Sequence, residues 1–127
     1  MTPKFRAWLK EEYRMTDVRE ITFFNDEVQM ISDVEGFYAY DEFKLMQFTG
    51  LKDKNGKEIF EGDVVKYEVG RNTYTEEVAY DKNFAGFGVK DAKANVVFTF
   101  GEIAEDISLI SLEVIGNIYE NHELLEG

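Results

Sequence analysis

The segment Leu45 to Val65, LMQFTGLKDKNGKEIFEGDVV, constrains the fold more than any other part of the chain, because it sets two turn signals within one short apolar stretch. It starts extended, breaks at Asp53-Lys54-Asn55-Gly56, resumes at Ile59-Phe60, turns again at Glu61-Gly62-Asp63 and re-enters an apolar run at Val64-Val65. Turns this close together imply short antiparallel strands. Asn and Gly tolerate the positive φ that tight hairpins require, so Asn55-Gly56 between apolar runs marks a hairpin. Gly62-Asp63 marks the next turn, where an Asp hydrogen-bonds its own backbone and opens the following strand. Asn55, Gly56, Gly62 and Asp63 are therefore read as structural turn residues.

The rest of the chain keeps the same rhythm. Asn, Asp and Gly punctuate it at intervals of about ten residues, the spacing of an all-β sandwich or barrel. Strands are predicted over Lys4 to Leu9, Ile21 to Phe24, Val28 to Ile31, Leu45 to Lys52, Glu58 to Phe60 and Val64 to Val69. Thr73 to Tyr80 alternates with period two, as a half-buried antiparallel strand does. Phe84 to Lys90 carries Gly86 and Gly88, which mark a bulge or a close backbone approach. Val96 to Phe100 and Leu112 to Tyr119 complete the set. One short helix is predicted over Gly101 to Leu109, where Ile103 and Ile107 share a face and Thr99 with Glu102 has capping-box spacing. A turn of helix over Asn121 to Leu125 would dock Leu124 and Leu125. The expected organisation is an N-terminal β subdomain over residues 1–44 and a barrel region over 45–127, together forming one compact unit.

Composition bears on partners. The formal net charge is −12, with 26 acidic against 14 basic residues, yet 11 Phe and 7 Tyr argue for a folded core rather than an acidic disordered chain. Nucleic-acid affinity rests on clustered Lys and Arg at phosphates. The densest basic group, Lys52, Lys54 and Lys57, is interleaved with Asp53 and Glu58, so no general nucleic-acid binding is expected. Cys is absent, which excludes a disulfide framework, a thiolate nucleophile and a cysteine-ligated zinc site. The N-terminal residues are charged throughout and lack an apolar core, so no signal peptide or membrane anchor is read there, and a soluble cytoplasmic protein is the expectation.

Residues that could carry chemistry are few. Asp53-Lys54-Asn55-Gly56 has the opening of a calcium loop, but Lys57 and Glu58 stand where a ligand and a Gly are required, and a hairpin turn explains it. Glu61 and Asp63 pair carboxylates around Gly62, as acid–base catalysis uses, with no partner base or metal ligand near them in sequence. His122 is the single His, in the C-terminal tail. Gly86-Phe87-Gly88 lacks the context of a dinucleotide fingerprint. Trp8, Phe48, Phe60, Tyr67, Tyr74, Phe87 and Phe98 could stack nucleobases, but without a basic groove they are read as core. No catalytic residue, metal or cofactor is assigned.

Three strings extend the reading. FRAW (Phe5 to Trp8), QFTGLKDKNGKEIFEGD (Gln47 to Asp63) and EVIGNIYEN (Glu113 to Asn121) resemble the YopX family of small phage and prophage proteins. They span nearly the whole chain; His122 stands where the family has Pro. The resemblance implies a β-rich protein with an SH3-like barrel in its C-terminal part and a tendency to self-associate, and it brings no catalytic residues. The leading expectation is a non-enzymatic interaction or self-assembly module, a homo-oligomer or a binder of a host or phage protein. The alternative is an acidic inhibitor that occupies a host protein's nucleic-acid site, with Glu76, Glu77, Asp81, Asp91, Glu102, Glu105 and Asp106 standing in for phosphates. Such mimicry requires these carboxylates on one side of the molecule.

Overall fold

The computed structural model describes residues 3–91, 93, 96–100 and 111–126. The described residues are mainly β. It divides into two compact units, Met1–Phe48 and Thr49–Gly127, and the division falls inside a long strand.

In the first unit, β1 (Phe5–Leu9) lies between β2 (Arg14–Asp17) and the first half of β6 (Phe43–Lys52), antiparallel to both. Phe5 pairs with Gln47 and Leu9 with Phe43. Simple alternation fails along β1, because Ala7, Trp8 and Leu9 are all buried; Trp8 is covered in part by the Tyr13 ring, edge-on at 5.0 Å. A second sheet orders β3 (Glu20–Phe24), β4 (Glu27–Ser32) and β5 (Phe37–Ala39). Asn25 and Asp26 both take positive φ, 50° and 67°, as a two-residue hairpin loop with primed-turn twist requires. Ile21, Ile31 and Tyr38 fall in one register row, and Ile31 joins Ala7, Leu9 and Phe43 in the core of this unit. Strands β2 and β5 have no counterpart in the sequence reading. β2 has charged residues at both ends and β5 is three residues long, so neither shows a usable period.

The second unit holds the end of β6, the short β7 (Glu58–Phe60) beside it, and a five-stranded antiparallel sheet. That sheet contains β8 (Asp63–Val69), β9 (Asn72–Asp81), β10 (Gly86–Asp91), β11 (Val96–Thr99) and β12 (Glu113–Asn117), in the order β11-β10-β9-β8-β12. It curls as a half-barrel. Val65 and Tyr67 of β8, Val78 of β9, Val89 of β10 and Val114 of β12 pack with Ile59, Phe100 and Leu112 into its core. The predicted helix Gly101 to Leu109 lies outside the described residues. The tail forms a 3₁₀ turn, His122–Leu125, that lies against β8 and β9, with Leu125 half-buried and Leu124 left at the surface.

Candidate functional site

The hairpin singled out by sequence is organised by a residue beside it. Asp53 is only 7% exposed although it sits in a turn. Its Oδ1 accepts the main-chain N–H of Asn55 at 2.8 Å and of Lys57 at 2.9 Å, and its Oδ2 accepts that of Val114 on β12 at 2.9 Å. The backbones of Asp53 and Lys57 close the loop, and Lys54 N–H reaches the Leu112 carbonyl. Gly56 takes φ +81° while Asn55 stays at negative φ. The loop is therefore not a two-residue Asn-Gly turn but the longer form that ends in a left-handed Gly. Burial pushes the Asp53 carboxyl up, yet the N–H donors from Val114, Lys57 and Asn55 outweigh it and the group is held below the usual carboxylate range.

The second turn follows the same logic. Gly62 has φ +87°, its N–H donates to Val78 and its carbonyl accepts from Ile118, so one residue links the turn to β9 and to the end of β12. Asp63 is 1% exposed, and its Oδ2 accepts the Phe60 N–H at 2.7 Å. A third buried carboxylate stands in the first unit. Asp33 Oδ1 accepts from the N–H groups of Glu35 and Gly36, and Oδ2 from Thr16 Oγ1 at 2.7 Å, Arg14 and Tyr38. Burial raises its pKa, but these donors dominate and bring it down to about 2. In sequence Asp53 shows only as part of a turn and Asp33 not at all, because the partners that bury them lie far along the chain: Val114 is 61 residues from Asp53, and Thr16 and Arg14 are 17 and 19 from Asp33.

The other sequence candidates do not come together. His122 is exposed in the 3₁₀ turn, with the Glu123 and Glu126 carboxylates 4.0 and 3.9 Å from its ring nitrogens. Among the described residues no cluster of three or more His, Asp or Glu is arranged to hold a metal ion. No helix among them is long and apolar enough to cross a membrane. The aromatic set is divided: Trp8, Phe48, Phe60 and Tyr67 are buried, Phe87 is half-buried, and Tyr74 and Phe98 are exposed. Gly88 is the close approach that its sequence context anticipated. A Cβ there would lie 2.0 Å from the Phe98 carbonyl oxygen and 2.5 Å from Thr99 Cα.

The second unit also exposes a group of apolar side chains. Phe84, at the β9–β10 turn, is 68% exposed. It lines two shallow depressions of about 360 and 450 Å³, the first with Leu51, Phe87 and Thr99, the second with Tyr80, Val96 and Val97 and with the polar Asp81, Lys82 and Asn83. Its turn is fixed by the Asp81 carboxylate, which accepts the Asn83 N–H, and by Ala85 at φ +50°, a left-handed conformation that favours Gly. Alongside runs β11, which among the described residues is an edge strand of the sheet and has no charged residue. Val89 of β10 pairs with Phe98, so Phe98 shares the face of the core residue Val89, yet it is 44% exposed, and Val96 is 45% exposed.

These features define a small β protein whose turns are held by buried aspartates and whose five-stranded sheet ends, among the described residues, in a strand without charge. A family model described as YopX protein matches residues 4–126, and the chain belongs to the YopX family. Among solved structures it is similar to the crystal structure of protein EF1440 from Enterococcus faecalis, at 32% identity over 98% of this chain and 99% of that one, with a TM-score of 0.72. No curated protein matches it.

Proposed function

We propose that this chain is a non-enzymatic, self-assembling interaction module of a phage or prophage, whose copies meet along the β11 edge and the apolar side chains beside Phe84. The observation that carries this reading is the absence of charge from β11 in a protein of net charge −12, with Val96, Phe98 and Phe84 exposed together. Charged side chains are the usual protection of a sheet edge against pairing. Like-charge repulsion acts over the rest of the surface, so an uncharged strip is where a second copy approaches at least cost. The self-association implied by the family resemblance points the same way.

The buried carboxylates support a non-catalytic role. A general base needs an available lone pair and a pKa near neutrality. Asp33 and Asp53 instead accept main-chain N–H groups on turn backbones and are shifted away from neutrality. Phosphate mimicry is less well supported. Glu76 and Glu77 are neighbours on β9 and so point to opposite faces, Glu76 accepts a hydrogen bond from Tyr67, and Glu77 is half-buried. Glu102, Glu105 and Asp106 lie outside the described residues.

The test is a pair of charge insertions. Phe98→Lys should reduce the mass of the assembly to that of the protomer, while Phe23→Lys, on an exposed position of the first unit, should leave it intact. Equal behaviour of the two variants would contradict the assignment of the interface.

A further inference from the structure

We propose that Asn55 is a self-modifying position, at which the protein deamidates without an enzyme and converts its own hairpin loop. The nucleophile is the Gly56 main-chain nitrogen. It loses its proton to base and attacks Asn55 Cγ; the N–Cγ bond forms, the Cγ–Nδ2 bond breaks, and the amide leaves as ammonia after taking a proton from water. Water then opens the five-membered imide at either carbonyl, giving aspartate or isoaspartate with no change in oxidation state.

Three observations single out this asparagine. Only here does Gly follow Asn; elsewhere the next residue is Asp26, Thr73, Phe84, Val96, Ile118 or His122, whose side chains crowd the attacking nitrogen. Asn55 and Gly56 are exposed, and nothing lies within 4 Å of a Cβ built on Gly56, so the imide ring has room. No hydrogen bond among the described residues engages the Asn55 side-chain amide. By contrast, Asn117 Oδ1 accepts from Tyr119 and Glu120 and its Nδ2 donates to Glu120, while Asn121 Oδ1 accepts from Asn117. The attacking nitrogen itself is held by the bond from the Gly56 N–H to the Asp53 carbonyl at 3.0 Å, and the loop around it by the Asn55 and Lys57 N–H groups on Asp53 Oδ1.

The position gives the reaction a structural consequence. Isoaspartate routes the main chain through Cβ and adds an atom to the loop. Asp53 Oδ1 then no longer matches the separation of the residue 55 and Lys57 N–H groups that it now bridges, and its hold on Val114 through Oδ2 is disturbed. The product also carries one more negative charge.

The experiment is peptide mapping by mass spectrometry of the intact chain incubated at neutral and mildly alkaline pH, beside a synthetic peptide of residues 51–60. Position 55 should convert faster than every other asparagine, and faster at higher pH, because the deprotonated fraction of the attacking amide rises about tenfold per pH unit. The isoaspartate form should elute separately and melt at lower temperature than an Asn55→Asp variant, which has the charge without the extra main-chain atom. Retention of Asn55 in the folded chain while the peptide converts, or earlier conversion at another asparagine, would overturn the proposal.

Discussion

Asp53 and Asp33 show how much of this fold rests on single carboxylates. A buried donor left without an acceptor costs more than the bond itself contributes, because its lost hydration is not replaced. Asp53→Ala strands the Val114 N–H in the core as well as the two turn donors, and should lower the unfolding free energy by about 3 kcal/mol in urea titration. Asp53→Asn should not rescue it, since its NH2 must face one of the same N–H groups. Asp33 adds a pH dependence. Its folded pKa of about 2 lies below the ordinary 3.8, so between these values the unfolded chain binds more protons and stability falls as pH falls. Asp53 acts in the same direction. Glu77 acts in the opposite one: burial raises its pKa, with Lys90 opposing, so it removes some stability as pH rises past its ordinary 4.5. Denaturation midpoints measured from pH 6 down should therefore drop most steeply between about pH 4 and pH 2, and Asp33→Asn should flatten that limb.

At the level of elements, β6 to β10 were legible in the sequence because Asp-Lys-Asn-Gly, Glu-Gly-Asp and Asp-Lys-Asn punctuate period-two runs. β2 and β5 were not, being pairings that neighbours impose on segments with no period of their own. The loop at Asp53 to Lys57 was legible as a turn but not in its type, since type depends on which of Asn55 and Gly56 takes positive φ. Gly56→Val and Gly62→Val should each cost about 1 to 3 kcal/mol, for the left-handed φ at both positions. Gly56→Asn should cost less than Gly56→Val, because space is open there and Asn tolerates that region. Gly88→Ala is a different case, an overpacking against the backbone of β11 that should cost about 1 to 3 kcal/mol and shows as lost hydrogen-exchange protection in β11 before the rest of the sheet. Protection unchanged in β11 would mean that the strand accommodates the methyl group.

For the whole molecule, charge and apolar surface set different expectations. A net charge of −12 predicts no measurable affinity for duplex DNA at physiological ionic strength, and a micromolar mobility shift with non-specific DNA would contradict that. The family and the β architecture were legible from FRAW, the central hairpin string and EVIGNIYEN; the uncharged, exposed edge was not, because exposure is a property of packing and not of a strand's own residues. Self-assembly through that edge is the central claim. It is tested most directly by light scattering coupled to size exclusion across micromolar concentrations at low and high salt. The predicted result is a mass that is a multiple of the 14.7 kDa protomer and is retained or increased as salt screens the repulsion between copies. A mass of 14.7 kDa throughout would contradict it.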